Sequence, residues 1–146
     1  MTTVVQILRS KADPTVHTIE PTASVNEAVR LMADRNIGAL VVVEREQVVG
    51  IVSERDFARK VLLMARSSTD TPLSEIMSSP VMYVQPGQSG QECMALMTEN
   101  RLRHLPVMDD GRLIGLVSIG DVVKAAISEQ QFVIEQLEHY ISGQRD

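Results

Sequence analysis

Apolar positions along the chain change period in a fixed order, and the order occurs twice. Extended runs from Thr15 to Ile19 and from Val81 to Val84 stop at Pro21 and Pro86, which cannot donate to a ladder. Val25, Ala28, Val29 and Met32 then recur at helical spacing after Ser24-x-x-Glu27, and Cys93, Met94 and Met97 do so after Ser89-x-x-Glu92. That spacing predicts two amphipathic helices opened by capping boxes, each Glu reaching back to the N–H of its cap residue. Unbroken Val and Ile from Ala39 to Val43 and from Val48 to Val52 predict strands covered on both faces, joined across the polar Glu44-Arg45-Glu46-Gln47. In the second copy Asp109-Asp110-Gly111-Arg112 supplies an Asp-Gly hairpin turn. A second helix is predicted from Phe57 to Ala65 and again from Val122 onward, so the unit reads β-α-β-β-α, twice, in a mixed α/β (α+β) chain.

Sliding the chain by 65 aligns 16–59 with 81–124 without a gap, pairing Pro21 with Pro86, Leu40 with Leu105 and Gly50 with Gly115, among others. The sharpest match is the run G-x-V-S-x-x-D, which occurs as Gly50-Ile51-Val52-Ser53-Glu54-Arg55-Asp56 and as Gly115-Leu116-Val117-Ser118-Ile119-Gly120-Asp121. The pattern divides the chain into a first unit at 7–65, a linker with a short helical turn at 66–76, a second unit at 77–128, and an extended C-terminal helix and tail at 129–146. In the linker, Thr71-Pro72 predicts an N-cap followed by Pro at the first helical position, the turn ending near Met77. Along the last segment Val123, Ile127, Gln130, Ile134, Leu137 and Ile141 alternate at spacings of four and three, the seam of a helix that packs on a helix, up to Gly143. Such a seam lies either on its own domain or on a partner helix; its run past the end of the repeat favours the partner.

A formal net charge of -5, with no block of like charge, argues against nucleic acid or an anionic membrane as partner. The single cysteine, Cys93, falls on the apolar helix face and reads as core, and no Cys/His cluster has metal-ligand spacing. No signal peptide or spanning run is present, which makes the cytoplasm the expected compartment. A nucleophilic mechanism would have to draw on Cys93, His17, His104 or His139, and neither a triad nor a glycine-rich phosphate loop accompanies them, so no catalytic or metal site is expected.

Ser53-x-x-Asp56 and Ser118-x-x-Asp121 admit two readings. One is a further pair of capping boxes, since a strand ends and a helix begins at each. The other is ligand binding: Asp reaches back to a cap less well than Glu, a carboxylate accepts two hydrogen bonds from a diol, and a helix N-terminus favours phosphate. Arg103-His104-Leu105-Pro106-Val107 adds to the second reading, because Arg103 and His104 stand where the first copy has Gly38 and Ala39, at the mouth of a buried strand. They suit a phosphate clamp, with Arg55, Arg59 and Lys60 as further charge near Asp56.

The duplicated unit, the paired G-x-V-S-x-x-D runs and the R-H-L-P-V strand resemble tandem CBS domains, the pair called a Bateman module, over about residues 7 to 128. The resemblance implies two pseudo-symmetric units packed through their sheets, and clefts that bind adenosine-containing ligands: AMP, ADP, ATP, NAD or S-adenosylmethionine. It implies that the motif Asp holds the ribose hydroxyls and the Ser sits near sugar or phosphate. Carried over by position, Asp56, Ser53 and Arg55 would share a pocket with Met82, Tyr83, Arg103 and His104. Asp121, Ser118 and Gly120 would share one with His17, Thr18, Gly38 and Ala39; there Gly38, Ala39 and Gly120 offer backbone and space but no charge, so the Asp56 pocket is expected to prefer the phosphorylated nucleotide and the other to be weaker or to take a differently shaped adenosine ligand. The function implied is a stand-alone sensor, in signal transduction or energy sensing, that forms a homodimer and acts on an unidentified regulated protein. A structural dimerisation module with degenerate pockets and a nucleotide-processing enzyme are the alternatives.

Overall fold

The computed structural model describes residues 2–141. In chain order its elements are α1 (Val4–Ser10), β1 (Thr18–Ile19), α2 (Val25–Arg35), β2 (Ala39–Glu44), β3 (Gln47–Ser53), α3 (Glu54–Asp56), α4 (Gly90–Asn100), β4 (His104–Asp109), β5 (Arg112–Ser118) and α5 (Ile119–Ile141). A π-helical segment, Phe57–Leu62, continues α3, and a 3-10 turn spans Leu73–Glu75. The chain forms two compact units, one of them Thr15–Met82 and the other the remaining described residues, so that α1 belongs with the second repeat.

In the unit Thr15–Met82, β2 lies between β1, to which it is parallel, and β3, to which it is antiparallel. Ala39, Leu40, Val41 and Val42 are all buried, as the unbroken apolar run requires of a strand covered on both faces. The β2–β3 turn places Arg45 and Glu46 at φ 51° and 65°, the left-handed pair that matches the twist of a two-residue hairpin. Val25, Ala28 and Met32 of α2 pack with Leu40, Val42 and Val52, and Phe57, Leu73 and Ile76 complete the core. Val29, which shares their helical phase, is 42% exposed and lies on the flank of that face. Pro72 is the cap residue of the 3-10 turn and not its first helical residue, and it brings no side-chain cap bond.

The other unit repeats the hairpin: β4 pairs with β5, with Asp110 and Gly111 at φ 51° and 76°. The same register shift occurs after Val42 in β2 and after Val107 in β4. The strand expected at Val81–Val84 shrinks to one parallel bridge, Val84 to Val107. Val84 alone exchanges ladder bonds there, donating to Pro106 and accepting from Met108, because Pro80 and Pro86 close the run on both sides. The space is filled by α1, which the apolar pattern of the repeat does not include. Thr3 and Gln6 cap it reciprocally, and Val4 and Ile7 are buried with Val84, Cys93 and Met97. Cys93 is wholly buried, and burial raises its thiol pKa, with Glu92 adding to the effect.

In α5, Val122 is buried, whereas Val123, Ile127, Ile134 and Leu137 of the seam are 41%, 61%, 47% and 56% exposed. The seam therefore does not lie on its own unit. Gly143, expected to end the helix, lies outside the described residues.

The motif glycines mark where an element from outside the aligned repeat presses on the strand. A methyl at Gly115 would lie 2.6 Å from Leu8 Cδ2 of α1, and one at Gly50 would collide with Met77 Sδ beyond the 3-10 turn. Gly115→Ala is expected to cost about 1–3 kcal/mol through overpacking, read as a lower urea midpoint. A midpoint equal to that of the parent chain would show that α1 does not bear on β5.

Candidate functional site

Each Ser-x-x-Asp run sits where the second strand of a hairpin becomes a helix. Ser53 and Ser118 are the last residues of β3 and β5, and the extended backbone of Ser53, φ -134° and ψ 168°, turns the chain into α3. The N–H of Ser118 donates to Asp121 Oδ2 at 2.9 Å and the N–H of Asp121 to Ser118 Oγ at 3.1 Å, a closed capping box. At the first motif the N–H of Ser53 reaches Asp56 Oδ2 at 2.8 Å, and the Ser53 hydroxyl donates to the same oxygen at 3.2 Å. Asp thus does reach back to its cap, against the expectation that Glu is the capping residue. At α2 and α4 only the serine half forms, Ser24 and Ser89 accepting from Glu27 N and Glu92 N at 3.1 Å. Backbone carbonyls take the neighbouring first-turn donors there, Thr71 from Val25 and Thr2 from Gly90, and Glu92 instead accepts from the Gln88 amide.

Each motif carboxylate also carries a lysine. Lys60 Nζ is 3.1 Å from Asp56 Oδ1 and donates to Ile76 O at 2.9 Å. Lys11, just past α1, places Nζ 3.1 Å from Asp121 Oδ2 and donates to Leu116 O at 2.8 Å. Lys60 is legible in the sequence as the i,i+4 partner of Asp56. Lys11 is not, because it lies outside the aligned repeat and α1 has to fold onto the second unit to deliver it.

Around Asp56 the unit Thr15–Met82 assembles Gly38, whose carbonyl accepts from Glu54 N at 3.2 Å, and Ala39, which pairs with Ser53. His17 and Thr18 border β2 one strand further on, His17 O accepting from Val41 N and Thr18 pairing with Val41. Arg55 is half-buried and Met82 is 38% exposed. In the other unit Arg103 O accepts from Ile119 N at 2.8 Å and His104 pairs with Ser118, which sets both at the Asp121 motif beside Gly120. Tyr83, 52% exposed, belongs to this unit. Arg55 and Arg103 make no ion pair among the described residues.

The electrostatics favour an ionised Asp121 and a neutral His104. Burial acts to raise the Asp121 pKa, but the Ser118 N–H and the Lys11 ammonium outweigh it and hold the carboxyl below its ordinary value. Burial pushes the His104 imidazole down; Asp121 opposes this, while Lys11 and Arg103 reinforce it. What results is a fixed, partly exposed carboxylate with an ammonium alongside, able to accept hydroxyl donors. Among the described residues no group of His, Cys, Asp and Glu could hold a metal ion, and no helix is long and apolar enough to cross a membrane.

The CBS domain matches this chain at residues 6–63 and 73–128. The mitochondrial CBS domain-containing protein CBSX3 of Arabidopsis thaliana is 39% identical over 97% of this chain and 73% of its own length. A solved protein with CBS domains from Burkholderia ambifaria superposes with a TM-score of 0.85 at 56% identity, over 88% of this chain and 96% of the other. A CBS domain pair solved with 5-methylthioadenosine and S-adenosyl-L-methionine has the same fold, with a TM-score of 0.78 at 24% identity, covering 88% and 98% of the two chains.

Both shifts act in the same direction on stability. A group whose folded pKa is depressed favours the fold above its unfolded value, and that contribution is lost as pH falls through the folded value. Urea midpoints are expected to fall first below about pH 6.5 as unfolded His104 takes a proton, and again below about pH 4 as unfolded Asp121 does. His104→Asn should flatten the upper step and Asp121→Asn the lower. A profile that both variants leave unaltered would contradict the assignment.

Proposed function

The chain belongs to the CBS domain family, and on that premise we propose that it is a regulatory protein that binds adenosine-containing ligands at its two Ser-x-x-Asp motifs and passes the bound state to a protein partner. The observation that carries the reading is the repeated carboxylate: Asp56 and Asp121 are each pinned by the N–H of the serine three residues earlier and left partly exposed, at 15% and 23% of their side chains. A carboxylate fixed in this way accepts a cis-diol, and ribose is the diol that AMP, ADP, ATP, NAD and S-adenosylmethionine share. A CBS pair of the same fold holds two adenosine compounds of this class, which is consistent with that choice. Arg103, His104 and Arg55 are the side chains suited to a phosphate, Arg by forked donation and His104 as a neutral donor. The role is binding and not catalysis: the chemistry of both motifs is acceptance of hydrogen bonds, and Cys93 is enclosed in the core.

Signalling requires that the ligand bind two states of the protein with different affinity. The exposed side of α5 is the element suited to transmit such a difference to a second copy. Phe132, Val133, Ile134 and Leu137 are 62%, 51%, 47% and 56% exposed, and an apolar groove of about 460 Å³ runs beside them between α4 and α5. The four-and-three spacing of the seam is that of a helix meeting its own copy, which makes a homodimer the expected assembly.

Two outcomes check this. A ligand at 100 times its Kd stabilises the chain by roughly 2.7 kcal/mol, so AMP, ATP, NAD or S-adenosylmethionine should raise the melting temperature, with Asp56→Ala and Asp121→Ala each removing part of the shift. No shift with any of them would leave the dimerisation module as the better reading. Ile134→Glu should yield monomer by light scattering, and a dimer that survives would take α5 out of the essential contact.

A further inference from the structure

Two lysines that are not related by the repeat make the same contact. Lys60 and Lys11 each place Nζ 3.1 Å from an oxygen of the motif Asp and each donate to a backbone carbonyl, at 2.9 and 2.8 Å. Yet the register that superposes the motifs sets Ala125 against Lys60 and Ile76 against Lys11. One ammonium comes from the next turn of the same helical stretch, the other from beyond α1 at the far end of the sequence. Inheritance of a common pattern does not account for the coincidence, whereas a demand made by the carboxylate itself does.

That demand follows from the chemistry of the proposed ligand. A carboxylate placed to hold a ribose diol puts a full negative charge beside the phosphate that the same ligand carries. An ammonium within hydrogen-bond distance cancels that charge, and of its three N–H groups two are used here, leaving one for a phosphate oxygen. At the second motif Ser118 N–H and Lys11 both bind Oδ2, and among the described residues Oδ1 takes no hydrogen bond, so a complete oxygen stays available to the diol. Lys11 and Asp121 are 24% and 23% exposed, open enough to be reached. Arg103 and His104 stand at the same motif, but among the described residues Lys11 is the one ion-paired to Asp121.

Resting on the ribose-binding reading of Asp121, we propose that Lys11 is the phosphate-binding residue of that site, so that α1 and the residue following it complete a site for a phosphorylated adenosine ligand. Lys60 holds the matching position at Asp56. Lys124 and Lys11 border the same groove of about 740 Å³ between α1 and α5, but Asp13, Asp121 and Glu129 border it too, so what Lys11 offers a phosphate is an N–H beside a neutralised carboxylate and not a basic groove.

The test is calorimetric titration of the chain in an Asp56→Ala background, with AMP and with uncharged adenosine. Lys11→Met is expected to weaken AMP by about tenfold while adenosine stays within about twofold, the loss expected for one charge-assisted hydrogen bond. Lys11→Arg should keep most of the AMP affinity, and Lys124→Met, which borders the groove without an ion pair to Asp121, should keep all of it; urea midpoints confirm that each variant is folded. Equal losses for AMP and adenosine, or no loss for either, would overturn the assignment and reduce Lys11 to a tether for α1. If the Asp56→Ala chain binds neither compound, the ribose reading of Asp121 fails, and the role of Lys11 fails with it.

Discussion

The chemistry of this chain depends on a carboxylate three residues past the end of a strand. Asp121 is held ionised although burial works against it, by a serine N–H at 2.9 Å and a lysine at 3.1 Å, and Asp56 makes the same two contacts at 2.8 and 3.1 Å. Hydrogen bonds to a charged acceptor are the stronger kind, and two of them fix the rotamer as well as the charge. The carboxylate that results has a set position before any ligand arrives, and little ordering remains to oppose binding.

Around that constant the two repeats use different supports. In the unit Thr15–Met82 the motif glycine is covered by Met77, beyond the 3-10 turn, and the lysine comes from the π-helical segment. In the other unit α1 provides the cover through Leu8, and Lys11 follows directly at its end. A bare glycine in the second strand is what allows either element to approach so closely. The local geometry of strand, serine and aspartate is common to both copies, while the lysine that completes it comes from a different place in each.

This division also explains what could be read from the sequence. The hairpins, α2 and α4, and the alignment of the two motifs were legible because each is encoded by short-range pattern: an unbroken apolar run for β2, Asp-Gly for the β4–β5 turn, Ser at both helix caps. The same reasoning failed where tertiary contacts replaced local ones. Glu27 and Glu92 have the spacing of capping residues, but neither accepts from its cap serine: Glu92 takes the Gln88 amide instead, and the carbonyls of Thr71 and Thr2 bind the next N–H groups along, those of Val25 and Gly90. Val81–Val84 has strand composition, but proline on both sides leaves one bridge. Thr3-x-x-Gln6 carried the signature of α1 and is a closed box in the fold, whereas nothing near Lys11 in the sequence points to Asp121. The proposal that Asp56 and Asp121 bind ligand draws on comparison of the copies and on the resemblance of the paired motif to CBS domains, and on no local periodicity.

Every role assigned to Asp56 and Asp121 requires that the chain carry an adenosine compound. Native mass spectrometry of the purified chain, before and after addition of AMP, ATP, NAD and S-adenosylmethionine, would weigh whatever is bound. Mass increments equal to an adenosine-containing molecule, up to two per chain, are expected, and their loss when Asp56 and Asp121 are both replaced by alanine. Only the unliganded mass with all four compounds at millimolar concentration, or increments that survive the double replacement, would contradict it.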